Sequence, residues 1–91
     1  MSGIDIRHPH ALPMPEAREA VQRVAGKLVD RFGVECAWQG DALDFSRGGV
    51  DGRIALLPGE VHVTATLGFL LAAMQRPIEA EIRRVLEKNF S

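Results

Sequence analysis

Residues 34–67 read VECAWQGDALDFSRGGVDGRIALLPGEVHVTATL, and three dipeptides that favour two-residue turns punctuate them: Gly40-Asp41, Asp51-Gly52 and Pro58-Gly59. The runs between them, 34–39, 42–50, 53–57 and 60–67, predict four antiparallel strands in a meander. A two-residue hairpin places its flanking residues opposite each other, and paired residues share a face. Gln39 opposite Ala42 pairs Trp38 with Leu43 and Cys36 with Phe45. Val50 opposite Arg53 brings Ile54 and Leu56 to that face, and Leu57 opposite Glu60 adds Val61, Val63, Ala65 and Leu67. Together with Val34 these residues make one apolar face, and if Trp38 is central to that core its truncation to alanine should cost about 3–5 kcal/mol. Glu35, Gln39, Asp44, Ser46, Arg53, His62, Thr64 and Thr66 take the other. Arg47 is the misfit, for which Gly48-Gly49 permits a re-aiming bulge.

Working outward, Ile4, Ile6 and His8 alternate with Asp5 and Arg7 in a short strand that Pro9 ends. From Pro15 the period changes. Ala17, Ala20, Val21, Val24, Ala25, Leu28, Val29 and Phe32 recur at helical spacing, with Pro15 suited to the first turn and Gly33 to a left-handed stop. After the meander, Phe69 to Met74 is apolar, and Pro77 opens a second helix carrying Ile78, Ile82, Val85, Leu86 and Phe90 on one stripe. Glu79 four residues before Arg83 marks the solvated side of that helix. Two striped helices and one apolar sheet face predict an α+β fold of order β-α-β-β-β-β-α. It is a two-layer sandwich in which a mainly antiparallel sheet of four to five strands carries both helices on one face. The first strand is expected to join the sheet, with a parallel pairing through a right-handed crossover as one route.

Ninety-one residues, 46% apolar and 25% charged, match a single small domain spanning 1–91. So short a chain needs nearly all its apolar residues for the core, which leaves too few to enclose a ligand cavity of about 300 Å³ or more. Eleven Lys and Arg against 12 Asp and Glu give a formal charge of -1, so no nucleic-acid partner is expected. The single cysteine excludes an internal disulfide. The longest uncharged stretch, Val61 to Gln75, is interrupted by His62, Thr64, Thr66 and Gly68, so no membrane span is expected. The N-terminus lacks a secretory pattern, and the expected localisation is cytoplasmic.

The segments Ile4-Asp5-Ile6-Arg7-His8, Glu16-Ala17-Arg18, Trp38-Gln39-Gly40-Asp41, Leu43-Asp44-Phe45, Gly49-Val50-Asp51-Gly52-Arg53-Ile54 and Leu67-Gly68-Phe69-Leu70-Leu71 together resemble the small polyhydroxyalkanoic acid system proteins. The resemblance covers nearly the whole chain. It implies a bacterial protein encoded near phasin and polymer-synthesis genes, located at storage-polyester granules, with a granule or a granule protein as partner. It carries no catalytic residues over to this sequence.

Chemistry-bearing residues are sparse. His8 and His10 are spaced as a pair on one side of an extended segment, but no third ligand is evident, so no metal and no cofactor are expected. Cys36, between Val34 and Trp38, reads as a small buried hydrophobe rather than a reactive thiol. Asp41 and Asp51 fit turn positions. Asp44, Arg53, His62 and Thr64 form a candidate polar sheet face whose plain reading is a solvated ionic cluster. Phe69, Leu70, Leu71 and Met74 are more apolar than one helical stripe needs, which makes them the candidate contact for a partner or a granule. The open sheet face, with Ala37, Ala42, Ala55 and Leu57 among its charges, suggests a homodimer. The expected function is a non-catalytic accessory or granule-associated protein acting by protein or hydrophobic-surface binding. The alternatives are an RNA- or ribosome-associated factor with a double-stranded-RNA-binding-like fold, and a small acyl-group binding protein or enzyme.

Overall fold

The computed structural model describes residues 3–69 and 71–90. Strand β1 (Gly3–Pro9) leads through α1 (Met14–Phe32) to β2 (Glu35–Gln39), β3 (Ala42–Arg47), β4 (Val50–Leu57) and β5 (Glu60–Leu67). A 3-10 turn at Ala72–Met74 then enters α2 (Gln75–Phe90). The class is α+β, with a five-stranded sheet in the order β1-β5-β4-β3-β2 and every neighbouring pair antiparallel.

β1 therefore pairs with β5 and not in parallel with a meander strand, with Ile6 opposite Val63 and Ile4 opposite Ala65. The reason is length. Adjacent strands lie about 4.8 Å apart, so the two edges of a five-stranded sheet are about 19 Å apart. The 19-residue helix α1 reaches about 28 Å at 1.5 Å per residue, enough to carry the chain from one edge to the other. β1 and β2 end up parallel but at opposite edges, and β5 closes the meander onto β1.

The hairpin register holds at two of the three turns. Trp38 pairs with Leu43 and Cys36 with Phe45 around Gly40-Asp41, and Leu57 pairs with Glu60 around Pro58-Gly59. The middle turn is Gly48-Gly49, not Asp51-Gly52: Arg47 faces Val50, Asp44 faces Arg53 and Leu43 faces Ile54. Asp51 and Gly52 lie inside β4, opposite Ser46 and Phe45. Relative to the expected pairing, each β3 residue meets a β4 residue six positions earlier. An even displacement leaves side chains on the same faces, so Ile54 and Leu56 still point inward. Gly52 serves a different purpose from a turn. A Cβ at Gly52 would sit 2.2 Å from Cζ of Phe45, so the phenyl ring occupies the space a side chain would need.

Arg47 needs no bulge, because the ladder runs regularly through it to Val50. It lies on the helix side of the sheet, and its Nη1 donates to the carbonyl of Phe32 at 2.6 Å. That carbonyl is among the last of α1, where orphan acceptors and the negative dipole end favour a cation. Gly33 terminates the helix in the left-handed region, φ 66°, its N–H returning to Val29.

The helices cover the inner face side by side, α1 over β2, β3 and β4, and α2 against α1 and over β1. The core between the layers is built from Ile4, Ile6, Val21, Val24, Leu28, Leu43, Ile54, Val61, Val63, Ile82 and Leu86, each no more than 2% exposed. Trp38 and Cys36 are only half-buried, because β2 is an edge strand with sheet neighbours on one side alone. Trp38 is not the centre of the core. It forms a clasp at the edge: Nε1 donates to Gln22 Oε1 at 2.9 Å, and the Arg18 guanidinium stands 4.2 Å from the ring centroid. Arg18 also donates to the Gly40 carbonyl at 3.0 Å, tying α1 to the first hairpin.

Candidate functional site

Two regions hold the side chains that the sequence singles out. On the outer sheet face, Arg53 grips Asp44 through two hydrogen bonds, Nε to Oδ1 at 2.6 Å and Nη2 to Oδ2 at 3.3 Å. The guanidinium fork holds the Asp44 carboxyl below its ordinary value, first by hydrogen bonding and then by charge. Thr64 lies opposite Arg53. His62 lies one row further along, opposite Ala55, and its Nε2 meets Asp5 Oδ1 at 2.7 Å. Arg7 and Glu60 pair at 2.8 Å beside them. The face thus brings Asp44, Arg53 and Thr64 together, while His62 is engaged by a residue of β1 that the meander alone does not show. The Arg53–Asp44 and Arg7–Glu60 contacts are cross-strand ion pairs, and His62–Asp5 is a cross-strand hydrogen bond.

The histidines of β1 and its exit pack at the far edge of the core. The His8 and His10 rings lie 6.3 and 5.1 Å from the ring of buried Phe90 at the end of α2. His10 Nδ1 accepts the backbone N–H of Leu12 at 3.1 Å. Partial burial of Cys36 pushes its thiol pKa up, away from the thiolate form that nucleophilic and metal chemistry require.

The second region is the end of the sandwich where β3 turns into β4 and β5 runs out. Gly49 takes φ 88° in the β3–β4 turn, a conformation open to glycine. Gly68, just past β5, donates its N–H to the Gly49 carbonyl at 2.7 Å. A Cβ on Gly68 would lie 3.2 Å from the Gly49 Cα, so the two backbones approach closely enough that a side chain at 68 would press on the turn. The chain then folds back, the N–H groups of Leu71 and Ala72 both donating to the Gly68 carbonyl at 3.0 Å. Leu71 Cδ1 comes to rest beside Gly49.

Between this folded-back segment and the facing ends of α1 and α2 opens a cavity of about 570 Å³. Leu28, Phe32, Phe45, Leu67, Ile78 and Ile82 supply much of its apolar wall, and Arg31 and Arg47 are its charged lining residues. Of the residues expected to contact a partner, Phe69, Leu71 and Met74 all line it. Phe69 is 93% exposed, Met74 51% and Leu71 half-buried. Leu70 lies outside the described residues.

A cavity of this size was not expected, and residue count was the wrong guide to it. The core does not have to enclose the space. It forms where both layers end together and where Gly48, Gly49, Ala65 and Gly68 put little side chain into the gap. The sequence signal was the meeting of surplus apolar residues at 69–74 with that group of small ones.

A family model described as "Putative polyhydroxyalkanoic acid system protein" matches residues 4–90. No curated protein and no solved structure matches the chain. The matched span runs from the first buried residue of β1 to the buried Phe90 that ends α2, taking in the outer face, the glycine contact and the cavity alike. The chain therefore belongs to the family of polyhydroxyalkanoic acid system proteins.

Proposed function

We propose that the protein is a non-catalytic accessory of the polyhydroxyalkanoate system that docks on the surface of storage-polyester granules through its apolar end. The observation that carries this reading is Phe69, a phenyl group 93% exposed at the lining of an apolar cavity, with Met74 half exposed beside it. A lone exposed apolar side chain is ordinary, but a phenyl and a thioether grouped on one apolar cavity lining suit contact with a hydrophobic surface. The outer sheet face supports the same assignment by contrast. Its arginines are held in Arg53–Asp44 and Arg7–Glu60 pairs, and its carboxylates would repel the phosphates of RNA.

Co-sedimentation with isolated polyester granules, at low and at high salt, tests the reading. The protein is expected to sediment with granules at both salt concentrations, and Phe69→Asp and Met74→Asp to reduce the bound fraction at least tenfold. Both side chains are exposed, so the variants should melt with the parent protein. Failure of the parent protein to sediment, or sedimentation that the substitutions leave intact, overturns docking through this end.

A further inference from the structure

The cavity behind Phe69 has a composition that docking on a surface does not require. Its wall combines aliphatic side chains with the rings of Phe32 and Phe45, and among the described residues lining it there is no carboxylate. Two guanidiniums are present instead, and they are not equivalent. Arg31 is held by Glu81 at 3.0 Å. Arg47 spends Nη1 on the Phe32 carbonyl, and a guanidinium has five N–H donors in a planar fork suited to a carboxylate. A volume of about 570 Å³ lies within the range of about 300–1,000 Å³ found for small-molecule sites. Sites of that kind pair an apolar wall with a few placed polar groups, as here.

We propose that this cavity binds one alkanoic acid of medium chain length, the chain lying against Leu28, Phe45, Leu67 and Ile82 and the carboxylate meeting Arg47. Charge selects the occupant. With Arg31 neutralised by Glu81, Arg47 is the cation left at the lining to favour an anionic head over a neutral ester or alcohol, while a volume of about 570 Å³ between apolar walls favours a chain over a short acid. Arg47 is exposed and lines both this cavity and a neighbouring hollow that also holds Glu35 and Asp51, and its hydrogen bond to the Phe32 carbonyl anchors its guanidinium at the C-terminus of α1 between the two. This inference does not rest on granule docking, because a free acid in solution would fill the same space.

Isothermal titration calorimetry with decanoate below its micellar concentration, set against methyl decanoate and butyrate, tests it. Decanoate is expected to bind one per chain, with methyl decanoate and butyrate each at least tenfold weaker. Arg47→Gln removes the charge and should weaken decanoate at least tenfold without altering methyl decanoate, with circular dichroism checking that loss of the hydrogen bond to the Phe32 carbonyl leaves the fold intact. Ile78→Trp, which puts an indole into the cavity from a half-buried position, should abolish binding of both while circular dichroism shows the fold intact. Absence of decanoate binding to the parent protein overturns the proposal. So does equal affinity for acid and ester, which would leave a site that reads only a chain. Binding that survives Ile78→Trp would mark adsorption elsewhere. Sedimentation equilibrium supplies the last outcome: a parent dimer that Ile78→Trp converts to monomer makes a second copy the occupant and overturns the proposal.

Discussion

The outer face of the sheet and the end of the sandwich are built on opposite terms. On the outer face polar groups meet partners across a regular ladder, Arg53 with Asp44, Arg7 with Glu60 and His62 with Asp5, and solvent covers what remains. At the end, regularity stops. Gly49 and Gly68 bring two backbones together, the chain doubles back, and apolar side chains are left lining a space rather than filling it. The first arrangement satisfies itself, whereas the second leaves apolar side chains exposed at a cavity lining. Surface features that close on themselves say little about function, and an apolar site held open by small residues says more.

Phe45 joins the two architectures, since its ring covers Gly52 on the core side and lines the cavity on the other. Gly52→Ala is the sharpest way to break the contrast between packed core and open end. The added methyl would overlap the ring, and overpacking of this kind typically costs about 1–3 kcal/mol. We expect a loss near the top of that range in urea unfolding, partly recovered when Phe45 is shortened to Leu in the same chain. A loss below about 0.5 kcal/mol would mean that the ring swings freely into the cavity, so that the wall is not a wall.

Trp38→Ala examines the other boundary, where the sheet meets solvent at β2. A fully buried tryptophan truncated to alanine costs about 3–5 kcal/mol. Trp38 is half-buried at an edge strand and gives up one exposed hydrogen bond and one cation–π contact, the latter about 0.5–1 kcal/mol. The expected loss is about 1–2 kcal/mol, read by circular dichroism because Trp38 is the only tryptophan. A loss of about 4 kcal/mol would move Trp38 into the core and would mean that the edge is better covered than its exposure indicates.

The order of elements, the inner and outer faces, and both helix boundaries near Pro15 and Gly33 were legible in the sequence because each rests on a local rule: a period of two, a period of 3.6, or a residue suited to one turn. What was misread is non-local. Asp51-Gly52 has the composition of a turn, and only the ring of Phe45 reveals that the glycine makes room for packing. Arg47 breaks the alternation of β3, and only the arrival of the α1 C-terminus supplies its partner. Trp38 satisfies every test of a core residue except its strand's position at the sheet edge, which no pattern within β2 encodes. The candidate contact residues 69, 71 and 74 were found as an excess of apolarity, whereas the cavity behind them depends on where two layers finish in space.

The smallest effect belongs to the self-satisfied face. The Asp44 carboxyl is held below its ordinary value by Arg53, first through the hydrogen bonds and then through charge. A carboxyl with a lower pKa folded than unfolded contributes stability above its unfolded value and loses it as pH falls through the folded one. Acidification below the ordinary carboxylate range should therefore remove the contribution of the pair, and Asp44→Asn should show a flatter fall in urea midpoint across that window. At neutral pH the parent and the variant should differ little, since an exposed ion pair is screened by solvent and salt. Raising the ionic strength should shrink even that difference. A variant that instead loses stability at neutral pH would show that the pair does more than join two strands, and one whose acid limb matches the parent's would show that the pair contributes nothing. The outer face would then no longer count as closed on itself, and the case for placing function at the apolar end would lose its contrast.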